Sequence, residues 1–147
     1  MLVERILPIA LKRLSTIQAD AFLTDAAKLL SDTHISLVVV CNADGGMAGV
    51  ITKTDIVRQI ARCQRTSCTI AVAAVMTRDA TYCHPGDSLH DVLSKMKARG
   101  FVHIPIVDQG FTPCGVINVR DALQVLLGEV EYDVSLLRDY IMGIGYR

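Results

Sequence analysis

The chain has 147 residues, 51% of them hydrophobic, and its 15 basic side chains are balanced by 15 acidic ones. Such a length suits one compact domain or two small halves sharing a core, and the apolar content excludes a disordered chain. Neutrality argues against broad nucleic-acid binding, which needs an excess of lysine and arginine, but leaves room for a small ligand held by a few local groups.

The first segment, residues 1–12, is apolar and interrupted by Pro8, which predicts a short helix or arm packed on the rest and no secretory signal. Leu23, Ala26, Ala27 and Leu30 then follow the i, i+3, i+4, i+7 spacing of an amphipathic helix. A β-rich run at 37–41, a turn at 42–46 and a second short strand lead into Gly49-Val50-Ile51, and a further helix begins near Thr54. Its apolar positions are Ile56, Val57 and Ile60. The longest apolar runs, 37–41 and 70–76, are far short of the roughly 20 residues a bilayer span requires.

The same text is then written again. At an offset of 66 residues Gly49-Val50-Ile51 falls on Gly115-Val116-Ile117, Asp55 on Asp121, Leu23 on Leu89 and Asp25 on Asp91, with no gap. Leu89, Val92, Leu93 and Met96 repeat the first helical stripe, and 103–107 repeats the first β-rich run. Each half therefore reads strand, helix, strand, strand, helix. One half alone is too small to cover its sheet, which predicts two halves packed with pseudo-twofold symmetry. The expected division is an arm and first repeat at 1–62, a polar linker at 63–69, a second repeat at 70–127 and a helical tail at 128–147.

In the tail Leu127, Val130, Val134, Leu137, Ile141 and Ile144 alternate spacings of three and four, a seam for a partner helix or for the chain's own domain. Gly143 and Gly145 mark where it should fray.

The string Gly49-Val50-Ile51-Thr52-Lys53-Thr54-Asp55 ends a strand and starts a helix. Taken alone, it reads as a capping box, with Asp55 reaching back to Thr52; Asn118 and Asp121 repeat the arrangement. Capping requires neither the glycine nor the flanking apolar residues, and a strand-to-helix turn also exposes N–H groups that suit an anion. A carboxylate beside it can accept from two neighbouring hydroxyls. Together these features suggest a nucleotide, with ribose at Asp55 and phosphate toward the helix start.

With its tandem Gly-hydrophobe-hydrophobe-x-x-x-Asp strings, carrying Thr52 in the first copy and Asn118 in the second, the phrase Val75-Met76-Thr77-Arg78 and the segment from Gly100 to Asp108, the chain resembles a pair of CBS domains, the Bateman module, over residues of about 10 to 127. Residues 136–141 also resemble the last helix of small stand-alone bacterial members. The resemblance implies an α/β fold of two pseudo-twofold-related β-α-β-β-α repeats. It implies a regulatory, non-catalytic module that binds AMP, ADP, ATP, NAD(H) or S-adenosylmethionine between the repeats as an effector, sensing energy or redox state. One cleft would pair Thr52 and Asp55 with Thr81, Tyr82, Phe101, Val102 and His103; the other would pair Asn118 and Asp121 with Ser15, Thr16, Ile35, Ser36 and Leu37. Lys53, Arg78, His103 and Arg120 would meet phosphates. Asn118 stands where the family has serine or threonine, and Val102 where relatives often carry a basic residue, so the Asp55 cleft ranks first. A homodimer, and a target protein that receives the signal, are further implications.

Three rivals stand beside this reading. His34, His84, His90 and His103 with five cysteines could in principle serve an enzyme, but no nucleophile elbow or phosphate loop is present. Cys83-His84 with His90 invites a zinc site, yet 84–88 reads as a turn and cap, and Cys63 and Cys68 are spaced too widely for a knuckle. The third is a ligand-free dimerisation scaffold. The odd cysteine count without C-x-x-C, with Cys41 and Cys114 in apolar runs, fits a reduced, cytoplasmic setting.

Overall fold

The computed structural model describes residues 1–62 and 69–142. Cys63 and Cys68 of the expected linker, Gly143, Ile144 and Gly145, and the side chain of Ile141 lie outside the described residues.

A 3-10 turn at Val3–Ile6 runs into α1 (Leu7–Lys12). The first repeat follows as β1 (Thr16–Gln18), α2 (Leu23–Leu30), β2 (Leu37–Cys41), β3 (Met47–Thr52) and α3 (Lys53–Arg62). After a second 3-10 turn at Val72–Ala74, the other repeat is α4 (Leu89–Arg99), β4 (His103–Val107), β5 (Pro113–Asn118) and α5 (Val119–Met142). The 66-residue offset extends to individual strand pairs. Antiparallel β2 and β3 match Leu37 to Thr52 and Val39 to Val50, while β4 and β5 match His103 to Asn118 and Pro105 to Val116. Both hairpins carry an irregularity at the same place, after Val40 and after Ile106.

The halves differ in the leading strand. In the first, β1 pairs parallel with β2 at Ile17 and Val40; in the second, only the equivalent single bridge from Cys83 to Ile106 is made. The sheets therefore have three strands and two.

Period-two burial organises the sandwich. Val38, Val40 and Ile51 face the first repeat's helices, and Ile104, Ile106 and Ile117 face those of the second. The intervening positions Leu37, Val39 and Val50 meet Val107 and Val116 in a third cluster, which joins the two sheets. Because both faces of β2 are covered, all five of its residues are buried, and the run reads as continuously apolar rather than alternating.

The segments preceding each repeat are exchanged. Val3, Ile6 and Ala10 pack into the second repeat's core, while Val72 and Met76 pack into the first. Leu89 N–H donates to Met1 O at 2.9 Å, and Leu23 N–H donates to Ile70 O at 2.9 Å. This exchange accounts for the recurring glycine. A Cβ at Gly49 would lie 2.5 Å from Thr77 O, and one at Gly115 would lie 2.8 Å from Ala10 Cβ. The glycines let the crossing segments approach the sheets. Their recurrence is a packing requirement, so it lends no weight to ligand binding, contrary to the inference drawn from the sequence.

Candidate functional site

At the β3–α3 junction Asp55 makes the capping box that its spacing predicts. Thr52 N–H donates to Asp55 Oδ2 at 2.9 Å, Thr52 Oγ1 donates to the same oxygen at 3.1 Å, and Asp55 N–H donates to Thr52 Oγ1 at 3.4 Å. Oδ1 faces the Arg58 guanidinium at 4.0 Å, one turn along the helix. Capping occupies one oxygen and does not seal the site. Thr52, Thr54 and Asp55 line a cavity of about 460 Å³ whose other walls come from the segment leading into the second repeat and from the second repeat itself.

From the leading segment come Thr77, Asp79, Ala80 and Thr81, held in place by reciprocal bonds between Val50 and Thr77. Phe101, Val102, His103 and Pro105 supply the second repeat's wall. Val50, Ser36 and Leu37 close the remaining side. Apolar walls with threonine hydroxyls and a carboxylate at one edge can hold a flat heterocycle carrying a hydroxylated sugar.

Of the first cleft's expected residues, Thr52, Asp55, Thr81, Phe101, Val102 and His103 line this cavity. Lys53 is exposed and does not line it. Arg78 is drawn back onto its own segment, where Nη2 donates to Ala73 O at 3.1 Å. Tyr82 faces elsewhere, its ring edge-on to Phe111 and His84 with centroids 4.8 and 5.5 Å away. Ser36 and Leu37, expected beside Asp121, line the Asp55 cavity instead because the sandwich brings both hairpins to one crevice.

The second constellation is built differently. Arg13 Nε donates to Asp121 Oδ2, and Nη2 donates to Oδ1 at 3.0 Å, so both carboxylate oxygens are held by one guanidinium. Asn118 Oδ1 accepts from Arg120 N–H at 2.8 Å, which turns its Nδ2 toward His103 Nε2, also at 2.8 Å. His103 Nε2 thus accepts and the ring is neutral; burial pushes its pKa down, and Arg13 adds to that effect. Thr16 is the exposed first residue of β1, Ser15 offers its carbonyl to Val39 N–H, and Ile35 packs against the first core. The Arg120 contact seen here is its backbone N–H to Asn118 Oδ1.

Burial pushes the Cys83 thiol up to about 12, and the Cys41 and Cys114 thiols are also raised, the reverse of an activated nucleophile. Cys41 and Cys83 are buried, whereas Cys114 is only partly so, its Sγ directed at Thr112 O. His84 N–H donates to Asp87 Oδ2 at 2.8 Å and Ser88 caps α4 through Asp91 N–H, the turn and cap expected there. Among the described residues, no three His, Cys, Asp or Glu side chains gather around a possible metal position, and no helix is long and apolar enough to cross a membrane.

Two functional positions escaped the sequence. Arg13 meets Asp121 across 108 residues of chain, a pairing no local pattern announces. Asp79 follows the Val-Met-Thr-Arg phrase directly and reaches the cavity through the segment exchange. The repeat offset links them, since 66 residues separate Arg13 from Asp79.

Fold and crevice together define a tandem-repeat module closed around its own pseudo-dyad. The CBS domain model matches residues 6–62 and 72–128, and the chain belongs to the CBS domain family. Among curated relatives, a 17.7 kDa protein of Acidianus ambivalens is 26% identical over 81% of this chain and 71% of its own length. The chain spans only 18% to 39% of other, longer relatives. A CBS-domain protein of Agrobacterium tumefaciens superposes with a TM-score of 0.72 at 26% identity, over 85% of this chain and 98% of that one. The CBS pair of protein MJ0100, solved with 5′-methylthioadenosine and S-adenosylmethionine, gives 0.72 at 23% identity over 88% and 98%. CBSX2, solved with AMP, gives 0.68 at 16% over 80% and 90%. The last two likenesses bear on the fold alone.

Proposed function

We propose that this chain is a non-catalytic regulatory module whose Asp55 cleft binds one adenosine-containing effector per chain. The observation that carries the reading is the junction at Asp55: a carboxylate at a helix start opens onto a cavity of about 460 Å³ walled by both repeats, within the size range of small-molecule sites. Phe101, Val102, Leu37 and Pro105 offer apolar surface for a base, and Thr52, Thr54 and Thr81 offer hydroxyls. The adenosyl ligands held by the CBS pairs of MJ0100 and CBSX2 support the same choice. A ligand touching both repeats biases their relative arrangement only to the extent that it binds one arrangement more tightly, and a partner protein in the cytoplasm would read that change.

Calorimetric titration with adenosine tests the reading. Asp55→Ala is expected to weaken binding roughly ten- to a hundredfold through loss of charge-assisted hydrogen bonds. Loss of stability with unaltered affinity would reduce Asp55 to a helix cap.

The scaffold reading keeps one favourable observation. Leu123, Leu127, Val130, Val134 and Leu137 form a stripe on α5 that is 49% to 59% exposed, and an isolated helix of this kind is marginal in water. A second copy of the chain fits this seam, giving a homodimer. Deleting residues 128–147 is expected to shift the solution scattering mass toward the monomer; an unchanged mass would place any dimer contact elsewhere.

A further inference from the structure

The walls of the Asp55 cavity carry two carboxylates, Asp55 and Asp79, and no lysine or arginine among the described residues. The only imidazole, His103, is held neutral by the Asn118 amide. Three guanidiniums lie outside the lining: Arg58 is 4.0 Å from Asp55 Oδ1, Arg99 Nη1 donates to Thr81 Oγ1 at 2.9 Å, and Arg13 acts on His103 while it is bound to Asp121. All three have partners within the protein already.

The repeat shows what this charge distribution means. Asp79 occupies the position of Arg13, 66 residues on. The equivalence is structural as well, because the next residues, Leu14 and Ala80, both pack on the cluster joining the two sheets. At one site a guanidinium meets the motif carboxylate and neutralises it. At the other, an exposed acid takes that place and lines the same cavity as Asp55. The first site therefore lacks the positive charge that the second supplies internally. A phosphate entering it would meet two carboxylates, the half-buried Asp55 and the exposed Asp79, and like charges at close range repel.

Resting on the adenosine reading above, we infer that the Asp55 cavity selects adenosine derivatives whose 5′ substituent is neutral or positively charged, such as a thioether or a sulfonium, over 5′-phosphates. Asp79 is the residue that sets this preference. It faces the substituent, while Asp55 serves the sugar.

The experiment is calorimetric titration of the full chain with adenosine, 5′-methylthioadenosine, S-adenosylmethionine, AMP and ATP at low and high salt. Methylthioadenosine and S-adenosylmethionine are expected to bind at least tenfold tighter than AMP, with the gap for S-adenosylmethionine narrowing as salt rises. Asp79→Asn, at an exposed position that leaves the core intact, is expected to shrink the S-adenosylmethionine-to-AMP ratio roughly tenfold, about one unit charge at close range. AMP or ATP binding as tightly as methylthioadenosine, or a ratio unmoved by Asp79→Asn, overturns the charge selectivity and leaves the adenosine reading standing. Absence of binding by all five compounds overturns the adenosine reading itself.

Discussion

Asp55 and Asp121 occupy the same place in two copies of one motif, yet one borders a cavity and the other is clasped by Arg13. The helix starts are alike. Thr52 and Asp55 cap α3, and Asn118 caps α5 through Arg120 N–H. The difference comes from the exchanged segments, which deliver an arginine to one carboxylate and an aspartate to the neighbourhood of the other. A duplicated fold thus gives each repeat a like helix start and leaves the fate of each crevice to one side chain on a crossing segment.

The most forceful way to break this comparison is to make the first site resemble the second. Asp79→Arg is expected to set a guanidinium against Asp55 and weaken the binding of uncharged adenosine about a hundredfold, near 2.7 kcal/mol, as read by titration calorimetry. Unaltered affinity would mean that positions 13 and 79 are not interchangeable. The converse change is smaller. Arg13→Ala leaves the part-buried Asp121 carboxylate without its partner, and is expected to cost about 1–2 kcal/mol in urea unfolding. It is also expected to raise the number of ligands bound per chain, which sharpens the claim that Arg13 is the internal occupant.

The smallest effect concerns pH. His103 has its pKa pushed below the ordinary 6.5 by burial and by Arg13, so the unfolded chain takes up its proton first. The stability due to the neutral ring is complete above about 6.5 and is lost as pH falls through the lower folded value. The unfolding midpoint of the wild type is expected to fall between pH 7.5 and 5.5 by more than that of His103→Gln. Equal slopes would show that the Asn118 contact does not hold the ring neutral.

The hairpins and helices were legible because their cues are local: apolar stripes at helical spacing around Leu23 and Leu89, and continuous β-rich runs at β2 and β4. The leading strand of the second repeat is reduced to a single bridge at Cys83. The glycine was misjudged for a physical reason. Its constraint is the carbonyl of Thr77 in one copy and the Ala10 backbone in the other, both distant in sequence. The resemblance implies a place at the cavity for Tyr82 and Arg78, but ring packing on Phe111 and the Ala73 carbonyl hold them elsewhere.

By itself the sequence determined the duplication, the α/β character of each half and the capping chemistry at Thr52 and Asp55, because these rest on short-range periodicity and on repetition at one offset; the family came from the resemblance of its motifs. Only the tertiary structure decided which crevice stays open, that Ser36 and Leu37 belong to it, and that Arg13 reaches Asp121. Those outcomes depend on how two exchanged segments cross the sandwich, and side chains 108 residues apart meet through packing that no local pattern encodes.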